Sequence, residues 1–336
     1  MPCNVLVTAA SRRVALVHAF QRALAARTGG RVIVTDINPL SPAVHVADRA
    51  YLVPLSSSPD YLSEIGSICD AEDVRLVVPT IDDELTVFGE ARERFRQAGA
   101  FAACSSAVTA DACNDKNETC TRLAALGVPA ARTYLPHQIP ASIEFPLFIK
   151  PRVGRGAVDA HMIRDGRDLA YYLGGIDAPV VQEYLSGPEF TIDVLCDPRG
   201  RPISIVPRER VVVRSGVIDR GRTVKSRPLM NLAEQVCEAF LFTGALNIQC
   251  RMRGGEAAVF EINPRFSGGI DLTIAAGADF PNLLVQMALG RRLMPRIGEF
   301  RDDLWICKYE TAVFVQGSAR ELPTLADGQA RRSEVA

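Results

Sequence analysis

The sequence predicts two kinds of architecture in one chain: an α/β part built on a parallel sheet, followed by an α+β part built on antiparallel strands. Two patterns carry this prediction. In the first hundred residues, short apolar runs alternate with segments whose apolar residues recur at helical spacing. After residue 180, longer strand patterns follow one another closely. With 336 residues, 48% hydrophobic and 23% charged, the chain can form two or three packed domains.

The first hundred residues predict four strands and three helices. Their short apolar runs are typical of buried strands, and glycines at positions 29, 30 and 99 end two of the helical segments. Strands that alternate with helices indicate a parallel sheet covered on both faces. The predicted strands cover 4–8, 31–35, 50–54 and 74–79, and the predicted helices cover 14–26, 61–71 and 85–98.

Beyond residue 115 the pattern changes. A strand runs into a loop of glycine and arginine at 152–156, and the later strands lie close enough in sequence for an antiparallel sheet with a helix packed on it. Residues 316–336 are polar and predict a weakly ordered tail or a last helix. The predicted strands cover 145–150, 180–185, 189–196, 203–213 and 257–262, and the predicted helices cover 115–126, 168–174 and 231–242.

Charge and hydropathy argue against several classes of partner. Lys and Arg total 38 against 39 Asp and Glu, so the net charge gives no reason to expect nucleic acid or an anionic membrane. No apolar run approaches the roughly 18–20 residues of a membrane span. Basic residues follow the short N-terminal apolar stretch, which is the wrong order for a signal peptide. We therefore expect a cytoplasmic enzyme or binding protein.

The nine cysteines and four histidines do not form a recognisable framework. The cysteine count is odd and no Cys-x-x-Cys pair occurs, which disfavours disulfides and zinc. The histidines are far apart in sequence. We interpret most of the cysteines as reduced core residues.

Two common nucleotide motifs are absent. The turn after the first strand, residues 8–13, contains no glycine, although a dinucleotide site needs glycines there. Asp36 follows the second strand, and we interpret it as a turn residue or a substrate contact. The pattern G-x-x-x-x-G-K-[ST] of P-loop proteins is also missing.

Five short sequences occur in an order that resembles the ATP-grasp superfamily. Residues 183–191 are similar to D-alanine–D-alanine ligase, whereas residues 244–269 are similar to carbamoyl-phosphate synthase and biotin carboxylase. The resemblance covers residues 3–316, and it is the order and spacing of the pieces that makes it specific. The pieces are DK at 115–116, IK at 149–150 followed by GRG at 154–156, QEYLSGPE at 182–189, NIQ at 247–249 and EINPR at 261–265.

The resemblance implies an ATP-grasp fold behind an N-terminal Rossmann-like (preATP-grasp) parallel-sheet domain. The domain limits we expect are 1–108 for the N-terminal domain, 109–182 for the lid subdomain, 183–316 for the C-terminal subdomain and 317–336 for a polar tail. ATP would lie between the lid and C-terminal subdomains.

The resemblance also assigns nucleotide-binding residues. Lys116 and Lys150 would flank the ATP phosphates, and Gly154 and Gly156 would let a mobile lid loop approach them through backbone N–H groups. On local sequence alone, Lys150 also suits a solvated strand end, and the glycines suit a plain hairpin turn.

Residues 182–185 would form the hinge between the two subdomains. Backbone groups of Glu183 and Leu185, on either side of Tyr184, would bind the adenine edge. Glu189 would accept hydrogen bonds from the ribose hydroxyls. The alternative for Glu189 is a surface carboxylate that follows a proline turn.

A metal site is predicted on the strand that carries EIN. Glu261 and Asn263 alternate along that strand, so their side chains share one face, and two hard oxygen ligands beside phosphates suit Mg²⁺, with Mn²⁺ as a substitute. Gln249 fits a third family position where many relatives have a carboxylate. A solvated strand face is the alternative interpretation.

Arg265 would clamp the substrate carboxylate or the acyl phosphate. The segment 208–227 contains seven basic residues, and some of them should face the transferring phosphate. We select Arg222 and Lys225, although a solvated loop explains any single one of the seven equally well.

The activity implied by the resemblance is ATP-dependent ligation of a carboxylate, such as an amino acid or another small acid, to an amine through an acyl phosphate. The partners would be small molecules, with no nucleic acid and no membrane, and a homodimer is compatible with the family. Two alternatives stay open: another single-unit ATP-grasp activity, such as carbamoyl-phosphate-synthase-like carboxylation or a kinase step, and a non-catalytic nucleotide-binding module.

Overall fold

The computed structural model describes residues 2–154, 156, 158–214 and 216–315. It contains a parallel sheet of five strands, a small antiparallel sheet of four strands and a large antiparallel sheet of six strands. The predicted fold class is therefore confirmed. The polar tail that the sequence predicts, 317–336, lies outside the described residues.

The five-stranded parallel sheet has helices on both faces. Its strand order is β3-β2-β1-β4-β5. In β1, Leu6 faces the helices α2 and α3, while Val5 and Val7 face α1, and all three side chains are fully buried. The elements, in chain order, are β1 (Asn4–Val7), α1 (Val14–Ala25), β2 (Val32–Asp36), β3 (Arg49–Leu52), α2 (Tyr61–Ala71), β4 (Val74–Val78), α3 (Asp82–Gln97), β5 (Phe101–Ala102) and α4 (Ala107–Asn114).

Helix α3 begins at Asp82, three residues before the start that apolar spacing predicts. Its first turn is acidic, with Asp82, Asp83 and Glu84, because negative side chains are stabilised at a helix N-terminus. The early start places Asp82 and Glu84 at the carboxyl edge of the parallel sheet, where the functional site begins.

The small antiparallel sheet has the strand order β6-β9-β7-β8. Its core consists of Leu147, Ile149, Ile163, Ile176 and Val181, packed under a helix. The predicted strand 180–185 ends at residue 183, where the chain leaves for the large sheet. The elements of this region are α5 (Lys116–Ala125), β6 (Thr133–Tyr134), β7 (Leu147–Pro151), β8 (His161–Ile163), α6 (Gly166–Gly175) and β9 (Pro179–Glu183).

The large sheet has the strand order β14-β13-β10-β11-β12-β15. Helix α7 packs on it through an apolar stripe that includes Leu229, Ala233 and Val236. This helix starts four residues before the predicted position, with Pro228 in its first turn. The elements are β10 (Glu189–Cys196), β11 (Pro202–Arg214), β12 (Val217–Thr223), α7 (Arg227–Ala239), β13 (Gly244–Arg253), β14 (Glu256–Asn263), α8 (Ile270–Ala275), α9 (Phe280–Ala288) and β15 (Trp305–Cys307).

Among the described helices, none combines the length and the apolar character that crossing a membrane requires.

Candidate functional site

A cleft lies where the three sheets meet. Each part of the chain contributes to its wall: Asp82 from α3, Lys116 from α5, Gly154 from the glycine loop, and Glu261 and Asn263 from β14. Four of these five residues are site residues predicted from sequence, and Asp82 is an addition that the sequence did not indicate.

Lys150 spans the gap between the small and large sheets. Its Nζ lies 3.4 Å from the carbonyl oxygen of Phe260, 5.2 Å from the centre of the Phe260 ring and 4.0 Å from Glu261 Oε2. The residue is only 6% exposed. Burial lowers the pKa of Lys150, Glu261 opposes this, and the nearby Lys116 cation lowers the pKa further. A buried cation in these surroundings is poised to receive an anion.

Lys116 is held by the local structure of the DK sequence. Asp115 caps α5 by accepting hydrogen bonds from the backbone N–H groups of Asn117 and Glu118, and it forms an ion pair with Arg152 at 2.5 Å. Lys116 follows the cap, and its Nζ donates to the carbonyl oxygen of Gly154 at 2.7 Å. The cap therefore fixes a second buried lysine beside the glycine loop.

The glycine loop needs glycine at two positions. Gly154 has φ +144° and Gly156 has φ +72°, values that other residues rarely adopt. The turn between β11 and β12 lies against this loop, since a Cβ on Gly216 would be 3.6 Å from Gly156. Arg155 and Ala157 lie outside the described residues, so the predicted lid function stays a prediction.

The predicted hinge is tied down by charged side chains. The Glu183 carboxylate accepts from the backbone N–H of Arg132 at 2.9 Å and from Arg253 Nη1 at 2.7 Å. Leu185 is buried, its carbonyl oxygen accepts from Arg251 Nη1 at 3.2 Å, and Tyr184 is half-buried between them. The predicted contacts with adenine would be made by the backbone of Glu183 and Leu185, and they stay predictions.

Glu189 is a partner of two arginines rather than an isolated surface carboxylate. Its Oε1 lies 2.7 Å from Arg210 Nη1, and its Oε2 lies 2.6 Å from Arg251 Nη2. The strand register explains this, because Glu189 of β10 is directly opposite Arg251 of β13 and Arg210 of β11 projects from the neighbouring strand on the same face.

The three predicted metal ligands lie together on the same face. Gln249 of β13 is directly opposite Glu261 of β14, and Asn263 is two residues further along. Glu261 Oε1 accepts from Asn263 Nδ2 at 3.0 Å, while Gln249 Oε1 accepts from Arg210 Nη1 at 3.2 Å. One carboxylate and two amide oxygens beside two lysines form a donor set that fits a magnesium ion bound together with phosphates. Since Arg210 engages Gln249, Glu261 is the strongest candidate ligand.

Arg265 joins β14 to the parallel sheet. Its Nη2 donates to Asp82 Oδ2 at 2.9 Å and to Asn263 Oδ1 at 3.1 Å. Arg13, in the turn between β1 and α1, reinforces this junction by donating to the carbonyl oxygens of Thr80 at 2.8 Å and Phe266 at 3.3 Å. Burial lowers the pKa of Arg13 to about 10, and the Arg265 cation acts in the same direction.

Two residues predicted to face the phosphate do not reach this cluster. Arg222 is directly opposite Glu209 and pairs with its carboxylate at 2.8 Å, on the other face of the sheet from Gln249 and Arg210. The Nζ of Lys225 lies 5.6 Å from the Phe300 ring. The structure therefore corrects the prediction that Arg222 and Lys225 face the transferring phosphate.

The basic residues of the segment 208–227 that do face the site are Arg208 and Arg210. Arg208 pairs with Asp193 at 2.7 Å and donates to Ser267 Oγ at 2.9 Å. Alternation from Glu189 along β10, combined with the register of β11, is the signal that could have identified them, but the register is not readable from sequence.

Asp36 closes a turn, as one of the two sequence interpretations proposed. Its Oδ2 accepts from the backbone N–H of Ser11 at 2.8 Å and its Oδ1 from that of Asn38 at 2.9 Å. Both carboxylate oxygens of Asp36 therefore accept hydrogen bonds from backbone N–H groups at the same edge of the parallel sheet.

Comparison with known proteins supports the resemblance. Residues 176–311 match the family described as "ATP-grasp in the biosynthetic pathway with Ter operon", and residues 5–102 match "PylC-like, N-terminal domain". The arginine-specific large chain of carbamoyl phosphate synthase from Bacillus subtilis is 23% identical over 261 residues, which are 71% of this chain and 24% of that one. Its counterpart from Geobacillus stearothermophilus is 21% identical, over 88% of this chain and 30% of that one. The chain thus spans about a quarter to a third of the length of these curated relatives.

Solved structures share the fold at low identity. The biotin carboxylase domain of Hydrogenobacter thermophilus 2-oxoglutarate carboxylase, solved with MgADP and bicarbonate, has a TM-score of 0.71 and 16% identity, over 90% of this chain and 73% of that one. L-amino acid ligase from Bacillus licheniformis has a TM-score of 0.66 and 18% identity, over 87% and 75%. N5-carboxyaminoimidazole synthetase from Staphylococcus aureus, solved with ADP, has a TM-score of 0.69 and 14% identity, over 87% and 79%. The family match over residues 176–311 and the shared fold therefore make this chain similar to ATP-grasp proteins.

Proposed function

We propose that this chain is an ATP-dependent ligase that joins a small carboxylic acid, such as an amino acid, to an amine and releases ADP and phosphate. The observation that supports this best is the pair of buried lysines near Glu261: Lys116 lines the cleft together with Glu261, and Lys150 Nζ lies 4.0 Å from Glu261 Oε2. Phosphoryl transfer depends on positioning and on neutralising charge, and fixed cations in a site shielded from water provide both.

The reaction proceeds in two steps. A carboxylate oxygen of the acid attacks the γ-phosphorus of ATP, the bond from that phosphorus to the β–γ bridging oxygen breaks, and ADP and an acyl phosphate result. The amine nitrogen then attacks the acyl carbon, the carbon–oxygen bond to phosphate breaks, and the nitrogen loses a proton as the amide forms.

Each step uses residues of the cleft. Lys116 and Lys150 hold the phosphates, and Arg265 holds the carboxylate and then the acyl phosphate. The backbone at Glu183 and Leu185 receives the adenine, and Glu189 receives the ribose hydroxyls. Holding both reactants in this way converts an encounter in solution into a reaction between neighbours.

Magnesium is part of the proposal. Glu261 would hold it, with the amide oxygens of Asn263 and Gln249 nearby, and the ion supplies neutralisation of phosphate charge when it is bound. Mn²⁺ has similar ligand preferences and serves as the substitute in the assay.

The decisive experiment measures ADP release by the full chain with ATP and Mg²⁺ over amino acids and other small acids, singly and in pairs with amines. We expect ADP release that requires both an acid and an amine, together with a product whose mass equals acid plus amine minus water. ADP release that depends on bicarbonate would instead indicate carboxylation. Absence of ADP release with every substrate set would indicate a binding module.

The domain limits and the assembly are further parts of the proposal. The limits are 1–108, 109–182 and 183–316, followed by the tail 317–336, and limited proteolysis tests them. We include a homodimer because the biotin carboxylase domain of Hydrogenobacter thermophilus is described as a dimer. Light scattering of the full chain measures the mass directly.

A further inference from the structure

We propose that Arg210 contacts the transferring phosphoryl group and makes the cleft bind ATP more tightly than ADP. This rests on the proposed function, because it requires the nucleotide to bind between the two antiparallel sheets. Arg210 would thus be a catalytic residue in addition to those indicated by the sequence.

The first argument is a buried donor without an acceptor. The Arg210 side chain is only 6% exposed, and its Nε has no hydrogen-bond partner among the described residues. Arg208, two residues earlier on the same face of β11, has a similar atom in Nη1. Buried polar groups in native proteins nearly always find partners, so two such atoms from residues on one face of a strand point to a ligand that accepts hydrogen bonds.

The second argument is position. Arg210 Nη1 lies 2.7 Å from Glu189 Oε1 and 3.2 Å from Gln249 Oε1. Gln249 is directly opposite Glu261, which in turn lies 4.0 Å from Lys150. A nucleotide whose ribose reaches Glu189 and whose metal reaches Glu261 must pass its phosphates in front of Arg210.

The third argument is that Glu189 can release Arg210 and remain neutralised. Glu189 Oε2 is held separately by Arg251 at 2.6 Å. When ribose hydroxyls donate to Glu189, the ion pair between Glu189 and Arg210 weakens, while the ion pair between Glu189 and Arg251 stays intact. A guanidinium is a planar fork that suits phosphate oxygens better than a single carboxylate oxygen.

The fourth argument is that another contact keeps Arg210 directed at the glycine loop. Its Nη2 donates to the carbonyl oxygen of Gly216 at 2.8 Å, and Gly216 lies against Gly156. Lys116 holds the other side of this loop through Gly154. The two cations therefore bracket the loop that is expected to cover the phosphates.

The experiment compares two nucleotides with matched variants. Calorimetric titration of the full chain with Mg²⁺ and either ADP or the non-hydrolysable analogue AMPPNP gives both affinities. Arg210→Met keeps much of the side-chain stem and leaves Arg251 to neutralise Glu189. Arg222→Met is the control, because Arg222 lies on the adjacent strand but on the opposite face, paired with Glu209.

We expect Arg210→Met to weaken AMPPNP binding about 10- to 100-fold, as loss of a hydrogen bond to a charged group does, and to weaken ADP binding by no more than about threefold. The control should match the wild type for both nucleotides. Equal weakening for both nucleotides would assign Arg210 to the ribose side or to structure alone, and would overturn the proposal. Failure of the wild type to bind either nucleotide would overturn the proposed function together with this inference.

A second variant guards against misfolding. Arg210→Lys retains a cation but lacks Nε, so we expect AMPPNP affinity between those of the wild type and Arg210→Met. Wild-type AMPPNP affinity in Arg210→Lys would show that the Nε donor has no role in binding and would contradict the first argument.

Discussion

Replacing Glu261 by Gln tests the role of one negative charge in the cleft. The Oε1 atom accepts from Asn263 Nδ2 at 3.0 Å, and an amide oxygen can accept the same bond. The Oε2 atom, 4.0 Å from Lys150 Nζ, would become an amide nitrogen. The variant therefore keeps the volume and one hydrogen bond, while the attraction to Lys150 and to magnesium is lost.

The cost in stability follows from the distance and the exposure. Two unit charges 4 Å apart attract by about 4 kcal/mol at an effective dielectric constant near 20. The Glu261 side chain is 21% exposed, so water screens part of this, and Lys150 can relax. We expect the free energy of unfolding to fall by about 1 kcal/mol, which lowers Tm by roughly 1–2 °C in a chain of this length.

The cost in activity should be larger. Loss of a group that merely supports a metal ligand typically lowers affinity or activity by about 10–100-fold, and a direct carboxylate ligand should matter at least as much. We expect substrate-dependent ADP release to fall by this factor or more at fixed Mg²⁺. Raising the Mg²⁺ concentration should recover part of the loss, because the defect lies in holding the metal.

Glu209→Gln is the matched control for this variant. Glu209 has a similar side-chain exposure, 23%, and it also pairs with a cation, Arg222, but on the opposite face of the sheet. It should lose a comparable or smaller amount of stability and retain full turnover. If Glu261→Gln turns over like the wild type at every Mg²⁺ concentration, then Glu261 is not a metal ligand and the assignment is wrong.

Three further predictions concern buried charge and the glycine loop. Lys150→Met should keep or raise Tm without nucleotide while losing AMPPNP binding in calorimetry. Burial lowers the pKa of Lys150 below 10.5, so the wild type should gain stability as pH rises towards 10.5 and the variant should lack that gain. Burial raises the pKa of Glu84 from 4.5 to about 7, so the folded protein holds a proton that the unfolded chain has lost. In denaturant unfolding, the stability of the wild type should fall as the pH rises from 4.5 to about 7, whereas the stability of Glu84→Gln should not. Glu90→Gln, at an exposed position, should behave like the wild type. Hydrogen exchange at residues 153–158 should slow with Mg²⁺ and AMPPNP, and equal rates with and without nucleotide would contradict a lid.

The sequence predicted those elements whose signal is local. Four of the five strands of the parallel sheet are short apolar runs, and their predicted limits agree with the structure within one or two residues. The two-residue β5 was not predicted. Strand β12 was missed because VIDRGRT carries charges on both faces and a glycine in the middle. The three-residue β15 was missed because it exists only through pairing with β12, more than 80 residues away in sequence. Such pairings depend on tertiary contacts that periodicity does not contain.

The same limit applies to the site. Lys150 and Glu261 were predicted because each lies within a recognisable sequence piece, although their proximity spans 111 positions. For the basic segment 208–227 only composition was available, and composition does not say which face a residue occupies. The pairing of β11 with β12 is irregular between Arg210 and Val212, so even strict alternation would misplace residues beyond that point. The position of Arg210 beside the site is therefore identified only through the strand register of the folded structure.

The charges of the cleft explain why metal and nucleotide should bind together. Lys116, Lys150 and the side chain of Arg210 are each only 6% exposed, so the folded protein carries three desolvated cations. Against them, Glu189 is shared by Arg210 and Arg251, and Glu261, the one carboxylate among the three predicted metal ligands, already attracts Lys150. A divalent cation alone would meet more positive than negative charge here, whereas the same ion bound to a triphosphate arrives with a net negative charge. This balance of charge supports the proposal that the cleft binds the magnesium–nucleotide complex, whose binding would offset the electrostatic cost of burying these cations.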